Sequence, residues 1–186
     1  MRTALILVIV MLTGCGSTAV PEQHFYLVRS VDAASGEVRH TGDFGVRRVE
    51  VASYLEQAGV ILEVSDGELR PARYHLWAEP LRESIRRFLV SGLTARLEVD
   101  MAANRRTRNN VDVVINELHG NTEGDVTLSA TWRITNLDGV MAAHQLSESA
   151  ALTEDGYAAL TRAHEALLDR LADAIAASVS ELESAP

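Results

Sequence analysis

The 186-residue chain has one cysteine, no lysine, and an apolar run of only nine residues near its N-terminus. A single cysteine excludes an internal disulfide and any metal site that needs a second thiolate. The formal net charge is −9, and no basic helix or aromatic-rich basic stripe offsets this acidity. The charge balance therefore argues against nucleic acid as a partner.

The place of the cysteine predicts its chemistry. Cys15 follows Arg2 and the apolar residues 4–12, which suit an export signal and fall short of the roughly 20 residues that span a bilayer. Residues 12–15, Leu-Thr-Gly-Cys, resemble a bacterial lipobox, whose thiol accepts diacylglycerol. We expect cleavage before Cys15 and stable anchoring to a membrane, because the resemblance implies several acyl chains on that residue.

Three regions follow from this processing site. We predict a lipoprotein signal peptide at 1–14, a lipidated tether at 15–23 and a single periplasmic domain at 24–186, which is long enough for one core. The tether is small and polar in composition, with one proline. Gly16 stands where an Asp would resemble an inner-membrane retention signal, which favours the outer membrane.

Alternating apolar and polar residues predict most of the strands. The expected strands are residues 25–31, 46–51, 60–64, 68–74, 111–118, 126–134 and 140–152, and the last three form a meander. The clearest alternation runs from Val126 to Ile134, which predicts one buried and one polar face. Pro71 lacks a backbone donor, so the strand that contains it is expected at an edge or irregular.

Two segments change to the helical period of 3.6. The first lies between Trp77 and Leu97, with Pro80 in its first turn and with Arg82, Glu83, Arg86 and Arg87 on its polar face. The second follows Thr153 as the predicted cap. Each half of the domain thus has several strands followed by one helix. We predict an α/β fold of two layers, with a mixed, mostly antiparallel sheet and two long amphipathic helices packed on it.

Motifs for catalysis or metal binding are missing. The six histidines form no H-E-x-x-H pair, and the chain has neither G-x-S-x-G nor a glycine-rich phosphate loop. His164 lies on the apolar side of the last helix, where we expect a half-buried structural histidine. The prediction is a protein that is not an enzyme, with no metal and no cofactor.

Six residues are candidates for contact with a partner or a lipid. The aromatic residues Tyr54, Tyr74 and Trp77 either pack the first helix onto the sheet or line a groove. The arginines Arg105, Arg106 and Arg108 either contact lipid phosphates or an acidic partner, or belong to a solvated loop.

Several blocks together resemble the ABC-type transport auxiliary lipoprotein family. They are Phe-Tyr-Leu-Val at 25–28, Val-Glu-Val-Ala-Ser-Tyr-Leu at 49–55, and Tyr-His-Leu-Trp-Ala-Glu-Pro-Leu at 74–81. The most specific is Trp-Ala-Glu-Pro-Leu, which we call the 77–81 block. The chain departs from the family pattern at Ala52-Ser53, where Pro-Asp is frequent, and at Glu56-Gln57, where Asp-Arg is common.

The resemblance implies an outer-membrane lipoprotein that faces the periplasm of a Gram-negative envelope. It implies a non-catalytic accessory subunit that works with Mce-domain (PqiB-like) proteins and an inner-membrane transport complex in lipid traffic, maintaining outer-membrane integrity. The alternative is a lipid-binding carrier with an internal apolar cavity, and a third reading is a lipid-anchored periplasmic hydrolase. Phospholipid is a further possible partner.

Overall fold

The computed structural model of the protein describes residues 21–29, 43–102 and 107–184. These residues form seven strands, one short 3₁₀ helix and two α-helices. Their bounds are β1 His24–Tyr26, β2 Phe44–Val51, the 3₁₀ helix Ser53–Glu56, β3 Gly59–Ser65, β4 Glu68–Trp77, α1 Leu81–Leu97, β5 Asn109–Asn121, β6 Asp125–Asn136, β7 Gly139–Ala151 and α2 Tyr157–Ser184. The predicted signal peptide, Cys15, Gly16, Arg105 and Arg106 lie outside the described residues.

One mixed sheet contains all seven strands, with the long β5 near its centre. On one side, β5, β6 and β7 form the predicted antiparallel meander. On the other side, β2 runs parallel to the first half of β5 and β3 runs parallel to its last residues. The sheet then continues through β4, which is antiparallel to β3, and β1, which is parallel to β4. The predicted two-layer α/β class is confirmed.

Both helices lie on one face of this sheet and also pack against each other, α1 over β2 and α2 over β6 and β7. Gly92 lies at this contact, where a Cβ would be 3.6 Å from the Cβ of Ala172 on α2, an ordinary packing distance. Arg96 adds ion pairs to Asp169 at 2.7 Å and Asp173 at 2.6 Å. The helical layer is therefore held by close packing and by a partly buried arginine.

The core lies between the sheet and the helices. The alternation predicted for β6 is confirmed, since its inward side chains are all buried: Val126, Leu128, Ala130, Trp132 and Ile134. The indole N–H of Trp132 donates to the hydroxyl of Ser178 on α2 at 3.0 Å. A buried donor is thereby satisfied, as burial without a partner would cost stability.

Pro71 lies at an open edge, as predicted. Ile61 of β3 pairs with it on one side. On the other side β1 pairs only with His75, Leu76 and Trp77, so no strand in the described residues opposes Pro71 there. The missing N–H consequently breaks no ladder.

Several boundaries differ from the prediction, and three of them have a visible cause. β1 ends at Tyr26 because its only neighbour, β4, ends at the paired Trp77; the last part of the predicted strand, residues 30–31, lies outside the described residues. Pro80 precedes α1 rather than belonging to its first turn. Thr153 does not cap α2, which begins at Tyr157. The preceding residue is Gly156, whose φ of +100° is a backbone conformation that favours glycine.

Candidate functional site

The 77–81 block is the junction of β1, β4 and α1. Trp77 is only 7% exposed, and its ring lies 5.9 Å from that of His164. The backbone N–H of Trp77 donates to the carbonyl of Ala58 at 2.7 Å, and the backbone N–H of Ala78 donates to the carbonyl of Tyr26 at 2.7 Å. The structure thus places Trp77 in the core.

Glu79 of the same block organises the start of α1. Its carboxylate accepts a hydrogen bond from the hydroxyl of Ser84 and pairs with Arg87, whose guanidinium donates at 3.0 Å. The hydrogen bond from Arg87, then that from Ser84, lowers the pKa of Glu79 below its ordinary value. The carboxylate is therefore an ionised helix anchor.

Tyr54 bridges the gap between β2 and β3. Its hydroxyl lies 3.4 Å from the N–H of Leu118, which donates to it, and 3.1 Å from Nδ1 of His119. Nε2 of His119 lies 3.6 Å from a carboxylate oxygen of Glu63. Burial raises the pKa of Tyr54. The sequence analysis named Tyr54 but not its two partners, Leu118 and His119, which are neighbours on β5, 64 and 65 residues away, and belong to no local motif.

The predicted aromatic residues do not form one site. No ring contact joins Tyr54, Tyr74 and Trp77 among the described residues. Tyr74 is half-buried on β4, with the guanidinium carbon of Arg73 at 5.5 Å from its ring centroid. The three side chains consequently act at three separate places on the domain.

A surface groove of about 500 Å³ lies between β2 and α1. Its walls contain four arginines and three glutamates together with Val49 and Val51. The charged residues are Arg47, Arg48, Glu50, Glu56, Arg82, Glu83 and Arg86. We call this the β2–α1 groove. Sequence analysis assigned its helical residues only to a polar face.

Several ion pairs lie within or beside this groove. Arg48 pairs with Glu50, Arg82 lies 3.7 Å from Glu56, and Arg82 also lies 3.3 Å from Glu83. Among the described residues, Arg86 has no carboxylate within ion-pair distance. Arg47 is directed to Asp112 of β5, with a hydrogen bond of 2.9 Å that raises the pKa of Arg47.

A second, more apolar cleft lies where the chain enters the domain. It measures about 350 Å³ and its walls include Leu62, Leu152 and Leu160. Tyr157, which also lines it, stacks on His75 at 3.9 Å between centroids, and His75 stacks on His24 at 5.1 Å. The tether predicted at 15–23 therefore joins the domain beside this cleft, which we call the tether-end cleft.

The β6–β7 hairpin is at the opposite end of the long strands. The 12 residues of β6 put it roughly 40 Å from the tether-end cleft, at about 3.3 Å per residue. Leu137 at its tip is fully exposed, Val140 is 61% exposed and Met141 is 39% exposed. Arg108, which lies 3.6 Å from Asp43, is next to the start of β5 at this same end. Apolar and positively charged residues thus stand away from the tether.

The described residues contain no group of three or more His, Cys, Asp or Glu side chains placed to hold a metal ion. Their helices include none with the length and apolar character required to cross a membrane.

Comparison with known families places this geometry in context. Residues 26–176 match the model of the ABC-type transport auxiliary lipoprotein component. The chain belongs to this family. The family predicted from the sequence blocks, the 77–81 block above all, is confirmed. The chain is therefore a transport accessory lipoprotein.

Two curated relatives are similar over nearly their whole length. The intermembrane transport lipoproteins PqiC of Escherichia coli (strain K12) and of Shigella flexneri are each 26% identical over 176 residues, covering 92% of this chain and 93% of theirs. Two crystal structures share the fold. One, of an uncharacterized protein, has a TM-score of 0.75 at 22% identity and covers 86% of this chain and 99% of its own. The other, from Xanthomonas campestris, has a TM-score of 0.68 at 13% identity and covers 84% and 93%.

Proposed function

We propose that the chain is a lipid-anchored, non-catalytic accessory subunit of an Mce-type ABC lipid transport system at the outer membrane. The observation that carries the proposal is the family match over residues 26–176, with PqiC-like relatives that are named as intermembrane transport lipoproteins. The partners are Mce-domain (PqiB-like) proteins and the inner-membrane complex that they serve. The role is to maintain outer-membrane integrity.

The polarity of the domain supports this role. Acylated Cys15 would hold the tether end at the membrane, because His24 follows the tether and stacks on His75. The opposite end presents the exposed Leu137 and Val140 together with Arg108. An exposed apolar patch with adjacent charge is typical of a protein interaction surface. In this proposal Arg108 contacts the partner at that end, together with its sequence neighbours Arg105 and Arg106.

A pull-down from envelope membranes with the full-length, tagged protein tests the proposal. We expect mass spectrometry to identify an Mce-domain protein as an enriched partner, and we expect Cys15→Ala to move the protein from the membrane fraction to the soluble fraction. Fatty-acid analogue labelling should disappear in the same variant. Recovery of no Mce-domain protein would contradict the transport role, whereas an unchanged membrane fraction would contradict the anchor alone.

The tether-end cleft supports a second candidate, a lipid carrier. Its apolar walls, Leu62, Leu152 and Leu160, are suited to part of an acyl chain. The cleft is open to the surface, whereas a carrier was predicted to have an internal cavity. Lipid extraction and mass spectrometry of the purified Cys15→Ala protein discriminate the two functions, because stoichiometric phospholipid is expected only of a carrier.

A further inference from the structure

We propose that the β2–α1 groove binds an extended, acidic peptide segment of a partner protein, which adds to the sheet as a strand beside β2. The identity of that partner rests on the proposed function, but the binding mode does not. The inference draws on three observations: an open strand edge, the chemistry of its backbone groups, and the charge of the groove walls.

The open edge follows from the hydrogen bonds of β2. β5 is the only strand paired with β2 in the described residues. At its C-terminal end, the N–H of Ala52 points to β5 and donates to the carbonyl of Ile115 at 2.9 Å. Peptide groups alternate in direction along a strand, so those of Val49 and Val51 point to the other side. Both residues line the groove, where Val51 is half-buried and Val49, with its side chain in the core, is 3% exposed.

Within the part of the chain that the structure describes, the edge is closed at its beginning. The N–H of Val46 donates to the carbonyl of Met101 at 2.8 Å, on the side away from β5. A bulge between Val46 and Arg48 then turns the strand. Beyond the bulge the peptide groups of Val49 and Val51 face the groove, and the open edge lies between the bulge and the 3₁₀ helix.

These backbone groups favour a peptide over a phosphate group or a lipid headgroup. A strand edge offers both N–H donors and C=O acceptors, here from Val49 and Val51. A phosphate anion accepts hydrogen bonds but has no donor for the carbonyl oxygens. An extended peptide supplies both types of group in the same alternation, which is the basis of recognition by strand addition.

The walls hold one arginine that is available to an acidic ligand. Four arginines and three glutamates line the groove, an excess of one positive charge in a chain whose net charge is −9, and Asp112 beside the groove pairs with Arg47. Arg86 has no carboxylate partner among the described residues, and Arg48 and Arg82 are paired only at exposed positions. Exposed ion pairs contribute little, so a ligand carboxylate can replace them. Arginine is also suited to bidentate contact with carboxylates.

The position of the groove connects it with the 77–81 block. A smaller cleft of about 180 Å³ shares Val51, Glu56 and Arg82 with it and continues to Pro80 and Leu81. The 77–81 block therefore lines the continuation of the groove with Pro80 and Leu81, while its Trp77 and Glu79 are used in packing and ion pairing.

Binding of a labelled peptide to the full chain tests the proposal. The probe is a fluorescein-labelled octapeptide of alternating Glu and Val, compared with an alternating Lys and Val peptide and with a Glu and Val peptide that is N-methylated at every second residue. We expect binding of the first peptide only, and slower hydrogen exchange of the Val49 and Val51 amides when it is bound. Equal binding of the N-methylated or the Lys peptide, or no binding of the first, overturns the proposal.

Two further outcomes separate the possible occupants. A Val51 amide that is already protected in the free protein would mean that another part of the chain or a second copy occupies the edge, which overturns the proposal. Arg86→Glu should weaken peptide binding about fivefold, as expected for one exposed charge contact. The matched control is Arg162→Glu on α2, where we expect no change, because Arg162 is 2.7 Å from Glu154 and outside the groove.

The proposed transport function and the peptide-binding site are tested by different measurements. If the wild-type chain recovers no Mce-domain protein from membranes but still binds the acidic peptide through Val49 and Val51, the transport role is wrong and the strand-addition site remains. If an Mce-domain protein is retained and the peptide does not bind, the site is wrong and the transport role remains.

Discussion

The hydroxyl of Tyr54 accepts a hydrogen bond from the N–H of Leu118, a backbone group between the part of β5 paired with β2 and the part paired with β3. Because that hydroxyl is used as an acceptor, its proton is available to Nδ1 of His119 at 3.1 Å. The network assigns the histidine proton to Nε2, which faces Glu63. One side chain thereby closes the break in the ladder that the 3₁₀ helix creates.

Tyr54→Phe tests this bridge. The variant keeps the ring but leaves the N–H of Leu118 without its protein acceptor, so we expect a loss of about 1–2 kcal/mol in the free energy of unfolding. Urea denaturation gives the magnitude, and hydrogen exchange should show a faster Leu118 amide. Tyr74→Phe is the matched control because the hydroxyl of the half-buried Tyr74 makes no hydrogen bond in the described residues. Equal losses in the two variants would contradict the bridge.

Trp77→Ala tests the structural use of the 77–81 block. The ring is 7% exposed and packs beside His164, so we expect a loss of about 3–5 kcal/mol and a lower melting temperature. Thermal melting and a pull-down of the same variant distinguish core from groove. A variant with normal melting and lost partner binding would place the indole in an interface instead.

Some elements of this fold follow from local pattern and others do not. The alternation from Val126 to Ile134 and the two helical stripes depend on neighbours in sequence, and they predicted β6, α1 and α2 with small boundary errors. The shared use of β5 by β2 and β3 depends on pairings between residues about 60 apart, which leave no period in the sequence.

The β2–α1 groove could not be predicted from the sequence pattern either. The pattern assigned Arg82 and Arg86 to a polar helical face, and it placed Arg48 on a strand. Only the tertiary fold brings that face beside the open edge of β2. The contact between Tyr54 and His119 is hidden for the same reason, whereas the family block at 77–81 was visible because it is contiguous.

The three arginines at 105, 106 and 108, of which the structure describes Arg108, give a separate prediction. Replacing Arg105, Arg106 and Arg108 together by Ser should weaken recovery of the partner and leave the melting temperature unchanged. Arg108 is highly exposed beside Asp43, and exposed ion pairs contribute little to folding. Binding of the wild type should decrease with salt, since exposed charges are screened over about 8 Å at physiological ionic strength. Salt-independent recovery and full complementation of envelope permeability would assign the loop to solvent.

The burial of His164 leads us to expect that the stability of the fold decreases at acidic pH. The structure buries this residue completely, more than the half-burial expected from its helical position, because α2 packs on the sheet at this point. Neither ring nitrogen has a hydrogen-bond partner in the described residues.

Burial, with a smaller effect of the nearby His119, lowers the pKa of His164 from 6.5 to about 3. The unfolded chain therefore binds a proton that the folded chain does not between pH 6.5 and 3, and stability falls as the pH decreases through this window. At pH 4.5 the loss in the free energy of unfolding amounts to about 3 kcal/mol, at about 1.4 kcal/mol per pKa unit.

We expect His164→Leu to be no less stable than the wild type at pH 7.5, because it removes two unpaired nitrogens. On transfer to pH 4.5 its free energy of unfolding should fall by about 3 kcal/mol less than that of the wild type. Urea titrations at the two pH values measure the difference, with His144→Leu on the half-buried face of β7 as control. Identical pH dependence in the wild type and His164→Leu would show that other groups cause any acid sensitivity of the protein.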